Sequence, residues 1–523
     1  MRTLLCLFLF LCMSVSARAV DYPLYMRSSD SFASSSTWEQ TGNLLLERSS
    51  SEVTARLPMR RHYNGRDEGC VRKVSLNSSY SVTSTEWQSS VSTPRTILRA
   101  QFSESGPIAG AAQPLEDFDE EIEAFCGLDS AEWQSVVDVL QNQSIGAPYP
   151  ASMVLVDDVL YVICDDGMLC ALSDPTGKEL WSFILPSACA RLKYISSSSS
   201  NSLPWLSAGS LTAEETSDGE IFLWCTLGAA GRGIVCLDVT DEEPSLVWAG
   251  EEFEDGSALW THGGENTGLG LTAAAPLAAT LSGELTLVLP AGPEASALLL
   301  YDAESGLPCG GTESIDDADL SLSPLGLVDS DGTLEQVVCC DDDGGVQFFE
   351  LDERDVTASS RIDLKGLCNS EGFEFVFSPM SSSTSRGLWL VFIAECDDGT
   401  FVASCSANDD DPSWSQVPWK GSGYGWWTLY DGFHDLISAF IYDGLLYLLG
   451  SEDGSKVLLI VDLTPGQLKT TVSVDDDVEE ITVVDGTVVL LGSDGSVNSV
   501  TSLTGLYSPS KSVILYTLQR QDF

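Results

Sequence analysis

The chain has 523 residues, with 78 aspartates and glutamates against 25 lysines and arginines and three histidines, for a net charge of −53. A surface this acidic repels nucleic acid and anionic lipid, so neither is expected as a partner. The acids solvate a β-rich chain that would otherwise aggregate, and divalent cations are the ions such a surface attracts.

Residues 1–19 read as an export leader. Arg2 precedes the apolar run 4–12, and Ala17-Arg18-Ala19 is a small-residue cleavage site, so the mature chain is expected to begin at Val20. Leu9-Phe10-Leu11-Cys12 lacks the small residue expected before a lipidated cysteine. No later stretch is apolar for long enough to span a bilayer, so an exported protein with no membrane span is expected. Residues 20–68 are Ser-rich and weakly periodic and are read as an extended lead-in, with the main β-rich sequence starting at Gly69-Cys70-Val71-Arg72-Lys73-Val74. The acidic segment 115–143 is an insertion in which Phe118, Ile122, Phe125, Trp133, Val137 and Leu140 recur at helical spacing, which predicts helices packed by that face on the rest of the fold.

The stretch 159–181 carries most of the fold. Val159-Leu160-Tyr161-Val162-Ile163-Cys164 runs up to Asp166-Gly167, where glycine supplies the positive φ of a tight hairpin turn. Met168-Leu169-Cys170-Ala171-Leu172 then leads to a second turn, Asp174-Pro175-Thr176-Gly177, and to Trp181, a large ring suited to packing between sheets. The unit returns in degraded form at Asp341-Asp342-Asp343-Gly344, Cys396-Asp397-Asp398-Gly399, Gly492-Ser493-Asp494-Gly495 and, for the second turn, Asp302-Ala303-Glu304-Ser305-Gly306. Modules that recur every few tens of residues must stack to bury their faces. Short β runs predict an all-β, quinoprotein-like β-propeller over 69–518, of about seven blades. Units are placed at 151–186, 219–250, 271–308, 323–365, 375–418 and 437–467, and strands from 480–518 are expected to pair with those of 70–99 to close the ring. The serine run 196–200 is a loop between blades.

Thirteen cysteines remain beyond the leader, an odd number that forbids complete pairing within the chain. Several stand where a strand wants a small apolar residue, so buried free thiols beside a few disulfides are expected. With a two-residue turn at Asp166-Gly167, Cys164 lies opposite Leu169 and Cys170 faces the other way, so these two are not expected to pair.

The order of signatures resembles the C-terminal domain of the PilY family of type IV pilus biogenesis and tip proteins. Asp166-Gly167-Met168-Leu169 with Thr176-Gly177-Lys178-Glu179-Leu180-Trp181 is similar to that family's DGMLHAF and TGKELWAFIP segments, with Cys170 in place of histidine. Gly228-Ala229-Ala230-Gly231-Arg232-Gly233-Ile234-Val235-Cys236-Leu237-Asp238-Val239-Thr240-Asp241 resembles GAGGRGVFALDVTDP, followed by Trp248. Leu269-Gly270-Leu271-Thr272, Gly425-Trp426-Trp427 and Asp462-Leu463 continue the likeness in the same order. The resemblance implies a non-enzymatic, exported propeller that acts in pilus assembly or at the pilus tip, docking minor pilins or other envelope proteins. The family's large N-terminal region, often linked to adhesion, has no counterpart in this chain. An envelope scaffold or adhesion propeller unconnected with pili is the alternative.

The same resemblance implies calcium, since family members often hold it in an acidic loop between blades. The corresponding place here is Leu327-Val328-Asp329-Ser330-Asp331-Gly332-Thr333-Leu334-Glu335. Asp329, Asp331 and Glu335 fit the third, fifth and ninth positions of such a loop, while Leu327 replaces the first ligand, which predicts a weak site or a plain acidic turn. Cys339-Cys340 raises a further alternative, a quinone-dependent oxidoreductase with a disulfide between adjacent cysteines, against the simpler reading of two strand cysteines facing opposite ways. His62, His262 and His434 are far apart, with no H-E-x-x-H or G-x-S-x-G arrangement, and Gly228 to Gly233 lacks a Walker lysine, so no other enzyme template fits.

Overall fold

A computed structural model describes residues 39–499 apart from connecting segments, the longest of them 102–119, 193–207 and 263–275. The leader, Phe118, the 196–200 run, the Leu269-Gly270-Leu271-Thr272 motif and the tail beyond 499 lie outside the described residues.

The described strands fall into seven sheets of mostly antiparallel neighbours, laid down in chain order as a β-propeller. One sheet of eight strands is two four-stranded meanders, 277–311 and 325–363, joined by a single parallel bridge between Gly311 and Asp355. It therefore counts as two blades, and the described residues form eight such units.

The blades between the first and last sheets are buried on both faces, which explains why their inner strands read as unbroken apolar runs. In the second sheet Leu160, Val162, Cys170 and Leu172 pack with Val71 and Trp87 of the first. On the opposite face Tyr161, Ile163, Leu169 and Ala171 pack with Leu211, Leu223 and Val235 of the third. The same pattern joins the 325–363 meander to the sheet after it, and the two sheets that follow.

Three seams between blades share one device. Trp87 lies on the edge strand Val82–Ser90, and Trp248 and Trp426 on Ser245–Phe253 and Gly425–Asp431, each one strand in from an edge; each ring covers the glycine of the second turn in the next blade: Gly177, Gly306 and Gly466. Their φ values of +68°, +68° and +63° favour glycine, and an added Cβ would come within 2.4–2.6 Å of the ring. Each indole Nε1–H also donates to a carbonyl of that turn, at Asp174 (2.6 Å), Ala303 (3.0 Å) and Leu463 (2.8 Å). The ring thus buries apolar area while its one polar atom is satisfied. Trp181, the ring singled out by sequence, is half-buried, packed against the core between the second and third sheets and tilted beside Tyr161.

Four of the five described helices pack in one core over the second and third sheets, and the fifth, Leu364–Cys368, packs in the core between the 325–363 meander and the sheet after it. Helix α1 spans Pro94–Gln101, α2 Glu120–Cys126, α3 Ser130–Asn142, α4 Pro186–Arg191 and α5 Leu364–Cys368. Asp129 accepts from the backbone N–H of Ala131 and Glu132 at 2.8 and 2.9 Å, while Glu132 accepts from the N–H of Asp129 at 3.0 Å, a reciprocal cap at the start of α3. Ile122, Phe125, Trp133, Val137 and Leu140 are buried against the second and third sheets, as their spacing predicts. Helix α1 has no counterpart among the sequence expectations.

Two expectations about the ends are corrected. The first sheet begins upstream of residue 69, because Val53–Tyr63 pairs along its full length with Arg66–Leu76 and also takes Glu39–Gln40 and Leu45–Arg48 as partners. Among the described residues, Val478–Val484, Thr487–Gly492 and Val497–Ser499 pair with one another and not with the first sheet. Among the described residues, 70–99 and 480–499 therefore fall in two separate sheets, while the 500–518 part of the expected pairing lies outside the described residues.

Candidate functional site

The predicted calcium loop connects the strands Leu325–Val328 and Leu334–Cys340. Asp329 and Asp331 lie outside the described residues. Glu335 is exposed, in the irregular step where Val328 faces Leu334 and Leu327 faces Gln336. Leu327 is buried in the apolar core, while Val328 is 55% exposed. The first ligand position therefore holds a core side chain with no oxygen to offer, and the set does not fit a complete calcium loop. Among the described residues no group of three or more His, Cys, Asp or Glu side chains is arranged to hold a metal ion.

The cysteines are corrected in detail. None of the thirteen cysteines from Cys70 onward is in a disulfide, and twelve of them are buried. Ile163 faces Leu169 and Val162 faces Cys170, one place from the register of a two-residue turn, so the hairpin connection is longer than Asp166-Gly167 alone suggests. Cys164 and Cys170 nevertheless lie on opposite faces, Cys164 in the core shared with the third sheet and Cys170 in the core shared with the first, so they do not meet, as expected. Cys339 and Cys340 are both buried and face opposite ways, one packing with Leu298 and Phe349, the other with Phe348 and Phe392. His62, His262 and His434 lie on strands of three different sheets. Of the 228–233 glycine run, Gly231, Arg232 and Gly233 open the strand Gly231–Asp238, paired with Ser245–Phe253, and 228–230 lie outside the described residues.

Buried charge gathers at the first seam. Arg56 and Lys73 are directly opposite each other on paired strands, a repulsive arrangement. Asp174 from the next blade lies between them, accepting from Arg56 Nη2 at 2.6 Å and Lys73 Nζ at 2.8 Å. Glu47 bonds Arg56 at 2.7 Å and Glu86 sits 3.4 Å from Lys73. Burial alone would raise the Asp174 carboxyl, but the hydrogen bonds and charges of Arg56 and Lys73 hold it below the usual aspartate value. A second buried acid, Asp341 of the Asp-Asp-Asp-Gly turn, accepts from the Gly345 N–H (2.6 Å), Gln347 Nε2 (3.0 Å) and Arg361 Nε (3.0 Å). Both clusters pair buried acids with cations and fix turns and seams, with Arg56 Nη1 left buried and unpartnered.

No family model matches the chain. A 147-residue stretch, 27% of the chain, is 33% identical to the "Type IV pilus biogenesis factor PilY1 homolog" of Xylella fastidiosa (strain Temecula1 / ATCC 700964). The match covers 11% of that protein, so the chain matches about a tenth of the length of this curated relative. Among solved structures, BamB from Moraxella catarrhalis superposes with a TM-score of 0.42 at 13% identity, covering 87% of this chain and 99% of that one.

The seam residues Arg56, Lys73 and Asp174 were not reached from the sequence. The signal was present in Val53, Ala55, Leu57 and Met59, a strict alternation of buried apolar residues that marks a strand with Arg56 on its other face.

Proposed function

We propose that this chain is a non-enzymatic, exported propeller that acts in type IV pilus assembly, docking minor pilins on its acidic surface. The observation that carries the reading is the similarity to a pilus biogenesis factor, together with the collinear motifs. The fold supports a docking role, because the motif residues described here build turns and seams. Gly177 lies under Trp87 and Trp248 covers Gly306, so these residues hold blades together and leave the outer loops to meet partners. No helix among the described residues is long and apolar enough to cross a membrane. Calcium, in this reading, is a weak ligand of Asp329, Asp331 and Glu335, with backbone carbonyls and water in place of the missing first carboxylate.

Deleting the gene in a piliated host tests the role. Loss of surface pili or of twitching motility is expected, and normal piliation overturns it. Affinity purification of the mature protein from envelopes should recover minor pilins; recovery of outer-membrane assembly factors in their place would favour an envelope scaffold.

A further inference from the structure

Cys368 closes helix α5 and Cys396 ends the strand Gly387–Cys396, so the two belong to consecutive blades. Their sulfurs are 3.6 Å apart, a van der Waals contact between residues 28 positions apart in sequence. The Cys396 thiol also lies 3.1 Å from the Gly399 carbonyl. Both sit at the rim of the core formed with Phe373, Phe375 and Phe401, one residue from exposed Asn369 and Asp397.

We propose that Cys368 and Cys396 are a disulfide-forming pair that joins the 325–363 blade to the one after it. Closing the contact to an S–S bond of about 2.0 Å needs small side-chain rotations at the ends of two elements, without separating the sheets. Other close cysteines are placed less well. Cys339 and Cys340 face opposite sides of one strand. Cys126 and Cys189 do meet, but Cys189 is fully enclosed in the core under the helices. An oxidant must reach one sulfur of a pair, and the rim position of Cys368 allows that.

The oxidant is a small or protein disulfide, such as oxidised glutathione or a thiol–disulfide oxidoreductase. One cysteine thiolate attacks that disulfide, forming a mixed disulfide and releasing one thiol. The second cysteine thiolate then attacks the mixed disulfide, so the chain gains one S–S bond and loses two protons and two electrons, while the oxidant ends as two thiols. Burial and the adjacent Cys396 thiol push the Cys368 thiol up to about 12, so uncatalysed closure is slow near neutral pH. Closure in the cell rests on the exported location proposed above. In vitro the oxidant is supplied, so failure there counts against the pair and not against the location.

The test uses the full mature chain, incubated with oxidised glutathione at alkaline pH, quenched in acid, alkylated under denaturing conditions and mapped by mass spectrometry. One linked peptide pair containing Cys368 and Cys396 is expected, with the other eleven cysteines alkylated. Reduction should lower the thermal midpoint of the oxidised protein by several degrees, and Cys368→Ala should show no oxidation-dependent shift. Alkylated Cys368 and Cys396 in the folded, oxidised protein, or either one linked to a different cysteine, would overturn the proposal without reference to any variant.

Discussion

At the scale of single residues, the glycines under the tryptophans and the acid between two cations bear the greatest strain if changed. Gly177→Ala combines a left-handed backbone with a Cβ 2.5 Å from the Trp87 ring, and together these should cost about 3 kcal/mol. Gly219 has φ +83° but nothing within 4 Å of an added Cβ, so Gly219→Ala should cost only about 1 kcal/mol. Thermal midpoints of the two variants, measured side by side, separate the steric part from the conformational part; equal losses would show that the ring gives way. Asp174→Asn leaves Arg56 and Lys73 buried and opposed, which should cost about 3–5 kcal/mol at neutral pH. The sign with pH follows from a folded carboxyl held below its ordinary value of 3.8. Its stabilisation is present above that value and lost as pH falls through the lower folded value, so an acid titration of thermal midpoints should converge for parent and variant only at the acid end. Parallel curves would assign the loss to something other than charge.

At the scale of elements, strands and turns were the most legible part of the chain. Apolar runs ending in Asp-Gly or Ser-Gly turns place most blades because glycine at positive φ is a local requirement. What the sequence reading missed is long-range. Trp87 and Gly177 are ninety residues apart, and nothing near Trp181 says that it stays half-buried while Trp87 docks. The strand at Val53–Tyr63 was hidden by the serine-rich stretch before it, although its alternation is plain once Arg56 is seen to face a partner. The hairpin register at Ile163 and Leu169 differs by one place because Asp-Gly marks a turn without setting the length of its loop. One strand carries its own pH test. Glu214, on Ala208–Glu215, is pushed up to about 7 by burial alone. Its protonated form is the one the fold favours, so stability present below the ordinary value of 4.5 declines as pH rises towards 7. Glu214→Gln should match the parent at pH 4 and exceed its thermal midpoint at pH 8; a variant no better at pH 8 would place that carboxylate in solvent.

At the scale of the whole molecule, charge and calcium must be told apart. A net charge of −53 means that any cation screens self-repulsion, so both magnesium and calcium should raise the thermal midpoint. A ligated ion adds a term that grows as the logarithm of its concentration over its dissociation constant, here about 10⁻⁴–10⁻³ M for an incomplete acidic loop. Asp331→Ala should remove the excess of the calcium shift over the magnesium shift and leave the common part intact. A calcium excess that survives the substitution would reduce the loop to a turn. This site was legible only as spacing, since carboxylates at alternate positions look the same whether they bind an ion or merely face water, and Leu327 belongs to the core.

The local construction of the blades also sets a timetable for their sulfurs. On the export proposed above, the chain would emerge with its cysteines bare, and twelve of the thirteen from Cys70 onward end up buried. Because each blade pairs mainly with strands close to it in sequence, a blade can fold and hide its thiols soon after it emerges, without waiting for distant segments. At any moment, then, the thiols open to wrong partners are those of the newest blade, and anything that stalls translocation between blades exposes few sulfurs to scrambling.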